Sequence, residues 1–273
     1  NTAISLIGSS MDSTVIDGSG MGQFTLRLNN NGYVSNIKVL GKGREFLQTA
    51  TIIAFNYAEI KNCRVSSAAV GVAMYNNSNY SSVYNVYFTD ALYGYQGDGI
   101  FPNSINNINN CVFVFSNNDA VGIALTVDGN YDIKNNIIIS TNSNSFYSGI
   151  SVDAPKSVFI NNNLISGFKN NINLQIHIDS ALIKNNILIN SNSDYSLWSM
   201  NDDPTIRNNI IKSNANGIYG WTVDSDYNLF WENIIDYNSS IYGDSDGVAS
   251  PMFVNDTIPH INGPYDFHLQ AFS

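Results

Sequence analysis

The chain has few charged residues, and this shortage excludes several kinds of partner. Only 12 % of its 273 residues are Asp, Glu, Lys or Arg, and the formal net charge is −10. The 12 Lys and Arg residues form no basic patch, so we expect no nucleic-acid partner. The sequence has no run of 18 apolar residues, so we expect no transmembrane segment.

The sequence also lacks the short motifs of several enzyme classes. It contains no Gly-rich phosphate loop, no His-x-x-x-His zinc pair and no nucleophile elbow. Nothing in the sequence therefore favours nucleotide, zinc-hydrolase or serine-hydrolase chemistry. The polarity of the chain is carried mainly by Asn, Ser and Tyr.

What the chain has instead is a short unit that recurs from end to end. Residues 183–188 read Ile-Lys-Asn-Asn-Ile-Leu, and residues 133–138, 160–165 and 206–211 repeat this unit closely. Four looser copies precede them. The first Asn of the eight copies stands at positions 36, 62, 85, 110, 135, 162, 185 and 208. Steps of 23 to 27 residues between copies indicate a stacked repeat protein.

The pattern inside the unit predicts two short strands that meet at a bend. The first and sixth positions are apolar in every copy, and the second is mostly polar. The first Asn lies at the bend, because Asn tolerates the left-handed backbone region that a sharp bend requires. The fourth position points inward. It becomes Asn in four consecutive coils, at Asn136, Asn163, Asn186 and Asn209, which predicts a buried ladder of hydrogen-bonded amides.

A third apolar run follows roughly ten residues after each bend and is often opened by Gly, as at 122–125 and 149–152. Three runs per repeat predict an all-β fold, a parallel β-helix (β-solenoid) of about ten coils with three short strands per coil. We expect one domain over residues 1–273, with regular coils over about 12–235 and a capping segment over about 236–273.

The two cysteines lie in the same inward column, two coils apart. Val86 stands between Cys63 and Cys111 in that column. Two coils span about 9.6 Å, whereas a disulfide needs Cα atoms within about 7 Å. We therefore predict two reduced, buried thiols.

The repeat unit and the third run resemble the right-handed parallel β-helix repeat family, the pectate-lyase-like superfamily in the broad sense. The resemblance covers about residues 12–235 and implies a right-handed coil. This coil serves lyases, glycosidases, epimerases, tailspikes, adhesins and passive surface proteins. The Gly-His-Gly and Arg-Ile-Lys motifs of polygalacturonases, and the Arg-rich motifs of pectate lyases, have no counterpart in this chain.

The loop after the third run carries Asp in successive coils, so we expect a column of acidic side chains about 4.8 Å apart. Asp128, Asp153 and Asp179 are the candidate ligands for calcium, which takes six to eight oxygen ligands. Asp153, Asp179, Asp202 and Asp203 are candidates for the carboxyl pair of sugar cleavage. The alternative is that these are ordinary turn residues.

Aromatic residues on the third strand suggest a sugar-binding surface beside these acids. Trp198, Tyr219 and Trp221 are predicted to point outward, where their rings can stack on a saccharide. The alternative is packing beneath a loop or the cap. His177 is predicted to point outward on the same face and, with Asp179, is a candidate acid or base.

These features favour an extracellular or cell-surface protein that engages a polysaccharide along the third-strand face, with hydrolysis or elimination left open. The opposing interpretation is a structural or adhesive module without catalysis. The acidic loops and the aromatic residues favour the first interpretation. The absent catalytic motifs and the low charge favour the second.

The fifth position of the unit suggests a partner surface. It is polar or aromatic in the early coils and then aliphatic in five consecutive coils, at Val112, Ile137, Leu164, Ile187 and Ile210. Stacked, these residues form an apolar strip about 20 Å long. The strip predicts either self-association or a cover from the same chain, and the polar loops nearby favour self-association.

Overall fold

The computed structural model describes residues 5–20, 23–43, 50–75, 80–98, 104–126, 128–142, 147–153, 155–175, 178–191, 194–200, 203–220, 222–239, 243–255 and 266–269. All regular structure within these ranges is β. In this described part of the chain, no helix is long and apolar enough to cross a membrane.

The chain is a parallel β-solenoid whose coils present three strand faces. The first face contains β1 (Ser5–Ile7), β4 (Tyr33–Ser35), β7 (Glu59–Lys61), β9 (Tyr80–Tyr84), β11 (Ile105–Asn109), β14 (Asn130–Lys134), β17 (Ser157–Asn161), β20 (Ser180–Lys184), β23 (Thr205–Arg207) and β26 (Asp224–Asp226). Neighbours pair in parallel with equivalent residues aligned, as in the row Ile133, Ile160 and Ile183. The repeat in the sequence is thus also the repeat in space.

The second and third faces share two long strands that turn from one face to the other. The second face contains β2 (Val15–Asp17), β5 (Lys38–Gly43), the first halves of β8 (Arg64–Tyr75) and β10 (Tyr87–Asp98), β12 (Val112–Phe115), β15 (Ile137–Ser140), β18 (Leu164–Ser166), β21 (Ile187–Ile189), β24 (Ile210–Lys212), β27 (Leu229–Trp231) and β29 (Gly247–Val248). The third face contains β3 (Phe24–Leu28), β6 (Ala50–Phe55), the second halves of β8 and β10, β13 (Val121–Leu125), β16 (Ser148–Val152), β19 (Asn170–Leu174), β22 (Tyr195–Ser199), β25 (Asn216–Tyr219) and β28 (Ile235–Asn238). An antiparallel pair, β30 (Phe253–Asn255) and β31 (Asp266–Leu269), follows.

The predicted bend is confirmed in every copy of the unit. The first Asn of all eight copies has a positive φ, between 50° and 57°. Counted by this bend, the chain makes about eight turns, fewer than the about ten coils expected. The first face nevertheless has ten strands. The two additional strands, β1 and β26, lie at its ends and are followed by Gly8 and Tyr227 instead of Asn.

Stacking extends beyond the expected boundaries at both ends. Strand β1 already pairs with β4, so coil pairing is present at Ser5, before position 12. Strands β28 and β29 pair with β25 and β27, so coil pairing continues to Val248, past position 235. The early part of the expected capping segment therefore belongs to the stack.

The interior is filled by identical positions of successive coils. Ile133, Ile160 and Ile183 are fully buried, and in the earlier coils the Phe88 and Phe113 rings stack with centroids 4.5 Å apart. Glycine opens the third strand because coils approach closely there. A Cβ added at Gly122 would lie 2.4 Å from the Gly149 carbonyl oxygen. A side chain is therefore excluded at Gly122.

The predicted ladder of inward amides is present. The Asn136 backbone N–H and Nδ2 donate to Asn163 Oδ1 at 3.0 and 2.9 Å, and Asn163 donates in the same way to Asn186. Asn186 in turn donates to Asn209 Oδ1. Each Nδ2 also donates to a backbone carbonyl, as from Asn163 to Ile133 O at 3.0 Å. Burying these amides is tolerated because each is hydrogen-bonded on both sides.

The ladder continues one coil further than expected and ends on a carboxylate. Asn209 donates to Asn228 Oδ1, and Asn228 donates through its backbone N–H and Nδ2 to Asp246 Oδ1 at 2.6 and 3.1 Å. The other carboxylate oxygen accepts from Ser225 Oγ at 3.0 Å, from the Gly243 N–H at 2.8 Å and from the Tyr237 hydroxyl. Asp246 thus accepts the hydrogen bonds from Asn228 that an Asn accepts in each earlier coil of the ladder.

Both cysteines are free and buried, as predicted. Burial raises the pKa of Cys63 to about 11 and that of Cys111 to about 12. Each Sγ donates to a backbone carbonyl two residues earlier, Lys61 O at 3.2 Å and Asn109 O at 3.3 Å. These thiols are therefore protonated core groups in neutral solution.

Replacing an inner member of the ladder should destabilise the whole stack. Asn163→Leu leaves both donors of Asn136 without their acceptor, so we expect the free energy of unfolding to fall by about 1–3 kcal/mol. Chemical denaturation followed by circular dichroism measures this change. The control is Asn107→Leu, at an outward, half-buried position of β11, which should change stability by no more than about 0.5 kcal/mol. Equal midpoints for the two variants would contradict the structural role of the ladder.

Removing the terminal carboxylate should loosen the last coils selectively. Asp246→Ala deprives Asn228, Ser225 and Gly243 of acceptors, and we expect faster amide hydrogen exchange in β26–β29 with little change in β14–β20. The matched control is Asp244→Ala, because Asp244 lies in the same loop and is exposed. Uniformly faster exchange along the stack, or none, would argue against a terminal role for Asp246.

Candidate functional site

A groove lies on the third face, where outward side chains change size from coil to coil. The register aligns Ala124, Ser151, Asn173 and Trp198 in one outward column. The first three members are small or short, and the fourth is an indole. Ala124 is preceded by Gln96 in the same column. The short side chains leave a depression between bulkier neighbours.

Aromatic side chains bound this depression. Tyr93 borders it on the side of the early coils, where it aligns with Val121, and Tyr195 and Trp198 border it on the side of the later coils. Tyr147, just before β16, is 48 % exposed and also contributes to the lining. The groove has a volume of about 590 Å³, a size typical of ligand sites.

The polar groups of the groove are mostly uncharged. Thr126, Ser148, Asn170 and Gln175 contribute to the lining together with Ser151 and Asn173. Asn170 Oδ1 accepts from the Tyr195 N–H at 3.2 Å. Asn173 Oδ1 is buried and accepts no hydrogen bond from the described residues. Hydroxyl and amide groups of this kind both donate and accept hydrogen bonds.

The charged residues among the described lining form an ion pair. Lys169 Nζ lies 3.0 Å from Asp194 Oδ2, and both side chains are a little more than one-third exposed. Their backbones are held by the neighbouring coils, since the Lys169 N–H donates to Tyr147 O and the Asp194 carbonyl accepts from the Asn216 N–H. The pair therefore spans two adjacent coils at the beginning of their third strands.

The predicted aromatic surface is placed on this face. Trp198 lies in the groove, and Tyr219 follows it in the same outward column. The Tyr219 ring packs against the Tyr195 ring, with centroids 4.9 Å apart. Trp221 and His177 lie outside the described residues.

Among the predicted acids that the structure describes, Asp153 lies next to the groove lining without contributing to it. Backbone hydrogen bonds place Thr126, Asp153 and Gln175 at equivalent positions after successive third strands. Thr126 and Gln175 both contribute to the lining, so the half-buried Asp153 stands between two lining residues. It occupies the margin opposite the Lys169 and Asp194 pair, because the third strand separates the two loops.

The other predicted acids occupy different positions in their loops. Asp128 is the third residue after β13, Asp153 the first after β16, and Asp179 the last before β20. Asp203 lies close to β23, with a positive φ of 53°, and Asp202 lies outside the described residues. Asp128, Asp179 and Asp203 are exposed. The similar sequence spacing thus places these carboxylates at different points of the loop, not in one column.

No group of three or more His, Cys, Asp or Glu side chains in the described part of the chain is placed to hold a metal ion. The structure does not bring Asp128, Asp153 and Asp179 together as one ligand set. Calcium binding by these residues stays a prediction.

Several lining residues were not singled out from the sequence. Tyr93, Tyr147, Lys169, Asp194 and Tyr195 all contribute to the groove. Tyr195 offered a local signal, because it begins the same third strand as Trp198. Tyr93 offered none, because it lies in the middle of the twelve-residue strand β10.

Comparisons with known proteins supply no relative. No protein-family model matches the chain, no curated protein matches it, and no solved structure matches it. The β-solenoid is established by the strand pairing described above.

Proposed function

We propose that this protein binds a polysaccharide in the groove of the third face. The observation that carries the proposal is the combination of aromatic margins, at Tyr93, Tyr147, Tyr195 and Trp198, with a floor of short polar and apolar side chains. Aromatic rings present flat apolar faces to sugar rings, and their polar tips can hydrogen-bond to hydroxyl groups. A small number of polar groups in a mainly concave site fixes the orientation of a ligand.

The direction of the groove favours an extended ligand. Its lining comes from β10, β13, β16, β19 and β22, which are successive strands of one face. Four strand spacings make a length of about 19 Å along the stack. A linear glycan lying parallel to the solenoid axis would run along the floor between Tyr93 and Trp198.

We further propose that the protein has a pectate-lyase-like relationship, that it cleaves the glycan, and that it is located outside the cell or on the cell surface. For cleavage, Asp153 is the best supported of the acid candidates because it stands between two lining residues. His177, Asp179, Asp202 and Asp203 are the further candidates for acid or base chemistry. Calcium binding at Asp128, Asp153 or Asp179 is a separate proposal, which binding measurements with and without calcium address.

Removing the groove indole should weaken glycan binding. Screening the wild type on a polysaccharide array, with calcium and with chelator, identifies a ligand. We then expect Trp198→Ala to raise the Kd at least tenfold, about 1.4 kcal/mol, because a stacked ring face is lost. Isothermal titration calorimetry measures the Kd.

The matched control is Trp231→Ala, because Trp231 is a half-buried tryptophan of β27 on the second face. It should leave the Kd unchanged. A wild type that binds no glycan on the array would defeat the proposed function, and equal losses in the two variants would place the binding elsewhere.

We propose a second candidate function, self-association, because the predicted apolar strip is a single column in the register. Val112, Ile137, Leu164, Ile187 and Ile210 are consecutive neighbours on the second face, and Leu229 extends the column by one coil. Leu164 is 8 % exposed and the others are half-buried. A flat aliphatic column about 24 Å long is a surface that a second copy can cover.

A charge placed in this strip should lower the mass of any oligomer. Ile187→Asp is compared with Leu182→Asp, which replaces an outward, half-buried aliphatic side chain of the same coil on the first face. We expect multi-angle light scattering to give the monomer mass for Ile187→Asp and the wild-type oligomer mass for Leu182→Asp. A wild type that is monomeric at high concentration would contradict self-association.

A further inference from the structure

The charge of the groove indicates which class of glycan it accepts. Lys169 and Asp194 are the charged residues among the described lining, and their 3.0 Å ion pair makes the net charge of that lining zero. The whole chain carries a formal charge of −10. A polyanion approaching the groove is therefore repelled by the protein as a whole and finds no uncompensated cation at the site.

The same ion pair opposes the binding of an anionic sugar. A uronate carboxylate that approached Lys169 would also approach Asp194, whose carboxylate lies 3.0 Å from the ammonium. Repulsion between the two carboxylates offsets the attraction of the uronate to Lys169. A neutral sugar leaves the pair intact and needs only hydrogen bonds and ring contacts.

The remaining polar lining suits hydroxyl groups. Ser148, Ser151, Asn170, Asn173, Thr126 and Gln175 offer neutral donors and acceptors over three successive coils. The buried Asn173 Oδ1 is without a donor among the described residues. Neutral amides and hydroxyls can match both the donor and the acceptor roles of sugar hydroxyls.

We propose that the groove is selective for neutral polysaccharides, and that the Lys169 and Asp194 pair excludes polyuronates. This inference rests on the proposed glycan-binding function and names its ligand class. Lys169 and Asp194 are specificity-determining residues in this view, because their pairing removes the charge that an anionic glycan would need.

The first test compares neutral with anionic glycans on the wild-type protein. Soluble glucan, mannan and xylan are the neutral probes, and polygalacturonate and alginate are the anionic probes, in affinity electrophoresis followed by calorimetry. We expect binding to at least one neutral glycan, at least tenfold tighter than to either anionic probe. We also expect the neutral Kd to change less than twofold when the NaCl concentration is raised, because screening acts on charges.

The second test frees the lysine. Asp194→Asn removes the partner of Lys169, so binding of polygalacturonate at low salt should become at least fivefold tighter, and added NaCl should reverse the gain. The matched control is Asp224→Asn, which breaks the 3.0 Å ion pair with Arg207 on the first face. It should not change binding of any probe.

The outcomes separate the inference from the function on which it rests. Wild-type protein that binds polygalacturonate or alginate as tightly as the neutral glycans would overturn the neutral selectivity while leaving glycan binding in place. Protein that binds none of the five probes or the array glycans would defeat the proposed function itself. An Asp194→Asn variant that behaves like Asp224→Asn would overturn the role of the ion pair.

Discussion

Each repeat unit of this protein contains a backbone bend that most residues avoid, and from Asn136 onward the bend is followed immediately by an amide that faces inward. The left-handed region costs roughly 1–2 kcal/mol for an ordinary residue, and Asn tolerates it best among the residues with a side chain. The next residue then projects into the core. From Asn136 to Asn228 it is an amide whose nitrogen donates to the following coil. From Asn163 to Asn228 the amide oxygen also accepts two hydrogen bonds from the preceding coil. Such a ladder is favourable only when equivalent positions meet, so it also sets the register.

The groove is a consequence of that register. A shift of one residue would turn every side chain of a strand to the opposite face. With the coils aligned, the short side chains of Ala124, Ser151 and Asn173 lie side by side and form a floor, and Trp198 ends the row. The aligned glycines at the start of the third strand allow the coils to approach closely at this edge. The floor of the groove is thus formed by strand residues alone.

The charge of the groove differs from that of the protein around it. The chain as a whole is anionic, with a formal charge of −10, and its polarity comes from amides and hydroxyls. In the groove, Lys169 is paired with Asp194, so the described lining offers hydrogen bonds and aromatic faces without net charge. The second face presents a different surface, an aliphatic column from Val112 to Leu229. One stacked repeat therefore carries two chemically distinct surfaces.

The sequence by itself determined the features that repeat. The interval of the unit predicted the stack, the Asn residues predicted the bends, and the fourth position predicted the ladder, because each depends on a local pattern that recurs at every coil. Trp198 was identified from alternation within one strand.

Only the tertiary structure decided what the loops contribute. Asp128, Asp153 and Asp179 have similar spacing in the sequence but stand at different points of their loops, because the coils differ in length. Tyr93 and Asp194 are far apart in the chain and share the groove only because the coils stack, and Asp246 ends the ladder from a segment that carries no repeat unit. A periodic pattern specifies contacts between equivalent positions, whereas contacts made by unequal loops depend on where the stacked coils place the loop ends.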